Sequence, residues 1–161
     1  MKKITTSLLL LSLILIACDG GEPASKPFDP AQEEQAFREA LQVHLNAVNE
    51  KDLTTLDGTM SEAQGMYLIL PQTEPTTTKK AFMDMHEEWF EDTSWTFETK
   101  ILDTEIAENL GIAIVDVMYK EPERNGKPYF NHMIVSYALK KIEGKWYIIK
   151  DHASSIEKTE N

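Results

Sequence analysis

The sequence predicts an α+β domain with its helices first and a curved, mostly antiparallel sheet last. Three observations carry this expectation. Two stretches in the first half place apolar residues at helical spacing, and the second half is filled by strand-like segments. Asn125-Gly126 and Glu143-Gly144 mark tight hairpins between those strands.

The first helix is expected over residues 31–50, where Phe37, Leu41, His44 or Leu45, and Val48 recur at a helical repeat. Asp29 ahead of Pro30 suits its start, because a carboxylate accepts from free N–H groups and proline fits the first helical position. Residues 52–61 read as a short second helix with Leu53 and Leu56 turned inward. Gly65 then introduces an apolar strand over 66–70, stopped by Pro71. After Thr76-Thr77-Thr78, a third helix over 79–91 would bury Phe82, Met85 or His86, Trp89 and Phe90. Four strands follow, over 94–106, 111–121, 129–142 and 145–154.

The beginning of the chain has a different character. Lys2 and Lys3 precede an apolar run over 8–16, broken only by Ser12 and too short to span a bilayer, which takes about 20 residues. The run ends in Leu15-Ile16-Ala17-Cys18, which resembles the lipobox of bacterial lipoprotein signal peptides. That resemblance implies diacylglycerol transfer to the Cys18 sulfur, cleavage before Cys18 and acylation of the new amino terminus. Two acyl signals suffice for stable anchoring in a lipid bilayer. The expected organisation is a signal peptide over 1–17, a lipidated cysteine and flexible tether over 18–30, one domain over 31–156 and a polar tail over 157–161. The expected location is the cell envelope, lipid-anchored on the extracytoplasmic side of a membrane. Cys18 is the only cysteine, so the domain itself has neither a disulfide nor a thiol nucleophile.

The chain carries 16 basic and 27 acidic residues, a formal charge of −11. Removing the first 17 residues takes away Lys2 and Lys3 and leaves 14 basic against 27 acidic side chains, or −13. Such a surface repels phosphate backbones, so no nucleic-acid partner is expected. The charges are scattered rather than blocked, as in an ordinary solvated surface.

Two segments resemble a known family. The helix exit Asn49-Glu50-Lys51-Asp52-Leu53-Thr54-Thr55-Leu56 looks like the first-helix exit of the nuclear transport factor 2-like superfamily. The segment Gly144-Lys145-Trp146-Tyr147-Ile148-Ile149-Lys150-Asp151-His152-Ala153-Ser154 is similar to the SnoaL-like branch, where Gly-x-Trp-x-aliphatic runs into a His-x-Ser end. The resemblance implies a cone formed by a strongly bent sheet and its helices, often dimeric. Ketosteroid isomerases, polyketide cyclases, dehydratases and binding domains without chemistry share that fold, so fold does not decide function. Within 60–71 the only acid is Glu62, so no isomerase-type aspartate base is placed there.

Regular hairpins give a register, and with it the faces of the sheet. If both turns have two-residue loops and no bulge follows, one face carries the rows Ile112–Leu139–Ile148, Ile114–Tyr137–Lys150 and Asp116–Val135–His152. The other carries Val115–Ser136–Asp151, Val117–Ile134–Ala153 and Tyr119–His132–Ser155. The first face is the expected pocket, with His152, Tyr137 and Asp116 as ligand-binding or catalytic candidates and Trp89 and Tyr67 contributing from outside the meander. Asp116 and His152 would stand roughly 10 Å apart, two strands over, and grip opposite ends of a ligand or a water. The competing assignment has Asp116 facing solvent and His152 capping the sheet. His44 reads as a satisfied core histidine.

No metal and no cofactor is expected. His86-Glu87-Glu88-Trp89-Phe90 lacks the second histidine of a zinc-helix motif, and the register separates His132 from His152. A homodimer through one sheet face is expected, with Val115, Val117 and Ile134 at the contact. Two functions stay open. One is a non-catalytic domain binding a small apolar or amphipathic molecule or a partner protein. The other is an isomerase, cyclase or dehydratase with His152 or Asp116 as general base and Tyr137 as hydrogen-bond donor.

Overall fold

The computed structural model describes residues 28–160. The expected signal peptide, Cys18 and most of the tether lie outside the described residues.

Helix α1 spans Pro30–Glu50, and the Asp29 carboxylate accepts from the backbone N–H groups of Ala31 and Gln32. Its inward stripe is the expected one, with Phe37, Leu41, His44, Leu45 and Val48 all buried. The helix ends at Lys51 in the left-handed conformation. Helix α2 is shorter than expected, Leu53–Gly58, capped by Asp52. Strand β1, Tyr67–Ile69, precedes helix α3, Lys79–Phe90, which starts from a Thr78 hydroxyl accepting the Ala81 N–H.

Four long strands follow: β2 Thr96–Ile106, β3 Leu110–Arg124, β4 Lys127–Ile142 and β5 Lys145–Lys158. They pair antiparallel in sequence order, and β1 adds to the far edge parallel to β5, giving the order β1-β5-β4-β3-β2. Both expected hairpins are present. Asn125 and Gly126 have φ of 56° and 82°, and Glu143 and Gly144 have 50° and 82°, the paired positive φ that matches the twist of the flanking strands.

The helices lie on the concave face and close one end of the cone. Phe37 meets Trp146 edge-to-face at 5.3 Å between ring centres, and Leu41, Leu45, Leu56, Phe82 and Leu139 fill the space around them. Gly111 has no room for a side chain beside α1. A Cβ there would sit 2.6 Å from the Phe37 ring.

Beyond the turns the expected register is wrong, and bulges are the reason. In the β4–β5 ladder, Leu139 still opposes Ile148, but Ala138 opposes Lys150, so Ile149 is an extra residue. In the β3–β4 ladder, Arg124 opposes Lys127 while Glu121 already opposes Tyr129. Pro122 and Pro128 sit in that irregular stretch, where neither can donate a ladder hydrogen bond. Side chains alternate faces along a strand, so one extra residue inverts every position beyond it.

The corrections follow directly. Asp116 opposes Ile134 rather than Val135, and His152 opposes Ser136 rather than Val135. Both therefore point outward, while Tyr137 points inward. The dimer expectation changes too, because Val115 and Val117 are fully buried in the core and only Ile134 lies on the outer face.

Candidate functional site

The concave face encloses a cavity of about 760 Å³. Its wall is mostly apolar, with Val48, Leu68, Leu70, Met85, Phe97, Met133, Val135 and Ala153 contributing. A few polar groups converge on it: Asp151, Tyr137, His86, Asn131 and Ser155. That combination of volume, apolar lining and sparse polar groups is typical of a small-molecule site.

Asp151 is the central group. It stands directly opposite Tyr137 across the β4–β5 ladder and beside Leu68 of β1. Its carboxyl is buried, and no donor within the described residues reaches it. Desolvation disfavours the charged form, and with nothing to offset it the pKa is pushed up to about 7. Tyr137 is also buried, and loss of hydration together with the nearby Asp151 carboxyl raises its pKa well above the ordinary phenol value. The pair is thus a carboxyl held towards its protonated form beside a neutral phenol.

Helix α3 supplies the opposite wall. His86 Nδ1–H donates to the Phe82 carbonyl at 2.8 Å, which leaves Nε2 as an unprotonated acceptor. Burial holds its pKa down to about 4, so the ring is neutral at pH 7. Behind Tyr137, at 5.7 Å between ring centres, lies His44. The Thr59 hydroxyl donates to the Leu56 carbonyl, so His44 Nδ1–H must donate to Thr59 Oγ1 at 2.7 Å. Burial drives the pKa of His44 down to about 3. It is a core histidine as expected, but only half satisfied, since its Nε2 has no partner among the described residues.

The rim is a chain of polar contacts joining α3 to the β3–β4 hairpin. Trp89 Nε1–H donates to Tyr119 Oη at 3.4 Å, and Tyr119 donates to Glu121 at 2.6 Å. Arg124 is bound to Glu121 and lies over the Tyr129 ring at 3.5 Å. Burial and the Glu121 contact push the Tyr119 hydroxyl up to about 12.

The candidates read from sequence divide cleanly. Tyr137 and Trp89 line the cavity, while Asp116, His152 and Tyr67 do not. Asp116 binds His132 on the outer face, Oδ1 to Nε2 at 2.6 Å, although the unbulged register had set these two residues on opposite faces. His152 is exposed and shares that outer face with His132. Tyr67 is 44% exposed and lies under the Lys150 ammonium. Sequence reasoning missed Asp151, which belongs to the cavity because the Ile149 bulge turns it inward. The signal available was the doublet Ile148-Ile149, two adjacent apolar residues that a regular half-buried strand does not accommodate. Among the described residues, no three His, Cys, Asp or Glu side chains gather closely enough to hold a metal ion.

A bent sheet whose concave face carries a buried acid, roofed by helices, defines a cone-type α+β domain. The model of the SnoaL-like domain matches residues 38–157, and the chain belongs to that family. Similar solved structures agree in fold. A ketosteroid isomerase-like protein from Erwinia carotovora atroseptica has 16% identity and a TM-score of 0.67, covering 78% of this chain and 98% of that one. The hexachlorocyclohexane dehydrochlorinase LinA-type3 from Novosphingobium barchaimii has 12% identity and a TM-score of 0.69, covering 80% and 90%. A nuclear transport factor 2-like protein of unknown function from Shewanella baltica has 15% identity and a TM-score of 0.58, covering 81% and 99%. No curated protein matches the sequence.

Proposed function

We propose that this domain binds a small apolar molecule in its cone and that Asp151 removes a proton from a carbon acid held there. One observation carries the reading: a buried carboxyl with no donor among the described residues, pKa raised to about 7, stands opposite Tyr137 on the wall of an apolar cavity. A base with a pKa near the working pH combines adequate ionisation with useful basicity. Tyr137 is the donor for the oxygen on which charge develops, and the apolar wall keeps water from competing. His86, with a pKa near 4, is the weaker base and serves as an acceptor that orients the ligand. Isomerisation and elimination both begin with such a proton transfer. The dehydrochlorinase among the similar folds eliminates by name, which fits this class without identifying a substrate.

The test uses 2-tetralone as a generic carbon acid, following exchange of its α-protons in D2O by NMR. The protein should accelerate exchange, and Asp151→Asn should lose roughly a hundredfold or more of that acceleration. Exchange that is unaffected by Asp151→Asn removes Asp151 as the base. Binding of tetralone without exchange would instead favour a ligand carrier, a reading supported by the lack of any charged partner for Asp151 among the described residues.

The site would act at the cell envelope, on a domain held to a bilayer through acylated Cys18 and paired with a second copy through the outer face of its sheet. The anchor reading rests on the lipobox-like segment at 15–18 and the Gly- and Pro-containing stretch that follows it. Cys18→Ser should abolish lipid labelling. A mutant that still stays with membranes after carbonate washing would overturn the anchor.

A further inference from the structure

The two ends of the cone differ, and the chain enters at one of them. Phe28, Glu33 and Ala36 share a surface groove with Asn109 of the β2–β3 turn and Gly144 of the β4–β5 turn. Phe37, Trp146 and Leu139 pack behind it and close this end. Helix α1 runs from there to the opposite end. There Val48 lines the cavity, Asn49 Oδ1 accepts from the Phe97 N–H, and Lys51 Nζ donates to the Trp95 carbonyl. The cavity has its mouth at that second end, where Thr73, Glu88, Asp92 and Lys158 line it and are all exposed. The 21 residues of α1 measure about 31 Å, so the mouth stands roughly that far from the point of entry.

We propose that this attachment holds the cone mouth-outward, its closed end towards the bilayer, so that the ligand enters from the aqueous phase and not from the lipid. This rests on the anchor at Cys18. From Cys18 to Phe28 there are ten chain steps, which reach at most about 35 Å. Turning the mouth onto the bilayer would lift Phe28 by the length of α1, about 30 Å, and take nearly all of that reach. A chain drawn so taut gives up its conformational freedom, whereas the mouth-outward pose leaves it slack. Phe28 and Leu110, 42% and 47% exposed at the closed end, are apolar side chains that the headgroup region accepts. The ligand class follows. It is a small molecule dissolved in water, because a lipid confined to the bilayer would stand about 30 Å below the mouth.

Cys18 is the only native cysteine and the anchor takes up its sulfur, so one added cysteine can be labelled alone. A donor dye is placed on the full-length lipidated protein at Glu108→Cys, by the closed end, or at Glu123→Cys, next to Arg124 at the mouth. Each protein is reconstituted in phosphatidylcholine vesicles that carry acceptor-labelled headgroups. Both should float with the vesicles. Energy transfer from position 108 should exceed that from 123 roughly twofold or more, given about 30 Å between their heights. Inserting about twenty Gly and Ser residues between Ala24 and Ser25 should bring the two values together, because the longer chain lets the cone turn over. Equal transfer at the native length, or more from 123, overturns the orientation and leaves the anchor standing. A difference unchanged by the insertion overturns it too, since chain reach is then not what holds the cone. Protein left at the bottom of the gradient refutes the anchor itself, and the orientation falls with it.

Discussion

Tyr137 and Asp151 face each other across two antiparallel strands on the concave wall of the cone, and the burial of both shifts each towards its neutral form. Chemistry and stability therefore pull against each other at this pair.

The first prediction concerns that conflict. The folded state holds the Asp151 proton more tightly than an unfolded chain does, with a pKa of about 7 against an ordinary carboxyl near 4. Stability contributed by this group therefore falls as pH rises through that window and levels off above it, a loss on the order of 4 kcal/mol. Asp151→Asn should raise the melting temperature at pH 8 and change it little at pH 4.5. A variant less stable than wild type at pH 8 would contradict the desolvated carboxyl.

The buried histidines impose the opposite slope. His44 and His86 stay neutral when folded, with pKa values of about 3 and 4, but take up protons near 6.5 once unfolded. Unfolding thus binds protons below pH 6.5, and stability from these groups falls as the pH drops. In Asp151→Asn, where the opposing term is gone, acid denaturation should be steeper between pH 6.5 and 4.5 than in the wild type. Melting temperatures across that range give the answer.

The two faces of the sheet can be told apart by charge insertion. Val117 is fully buried, so Val117→Arg should abolish folding rather than dissociate anything. Ile134 lies on the outer face near Ile114 and Met118, partly exposed. Ile134→Arg should leave the circular dichroism spectrum intact and shift the proposed dimer to monomer in sedimentation. A wild-type monomer at micromolar concentrations refutes the dimer.

Gly111 tests the packing at the closed end. Its Cβ would press on the Phe37 ring, which the core does not let move. Gly111→Ala should cost about 1–3 kcal/mol, the usual penalty of overpacking, visible as a lower urea midpoint.

The outer-face residues serve as controls. His132 and Asp116 are 28% and 37% exposed as side chains, so their contact contributes at most about 1 kcal/mol. Asp116→Ala and His152→Ala should leave tetralone exchange unchanged. A large loss in either would mean that the outward orientation is wrong.

Much of the fold was legible because its signals are local. The α1 stripe from Phe37 to Val48, the cap at Asp29, and both positive-φ hairpin turns each depend on a few consecutive residues and their backbone preferences. The family could also be read from the helix exit at 49–56 and the strand at 144–154. The site was legible only in part. Tyr137 and Trp89 reach the cavity, whereas Asp116, His152 and Tyr67 do not, and Asp151 takes the place assigned to His152.

By itself, then, the sequence determined which segments are helix and strand, where the chain turns and which family it belongs to. The tertiary structure alone decided which face each strand residue occupies beyond the irregularities at 121–124 and 148–150, counted outward from each turn. Alternation along a strand is a two-state variable, and a single bulge inverts it for the rest of the ladder. Whether Ile149 bulges depends on what its neighbours gain in the assembled core, where Leu139, Ile148 and Ala153 are all packed inward together. That gain is spread over strands and helices far apart in sequence, so no short stretch of residues encodes it.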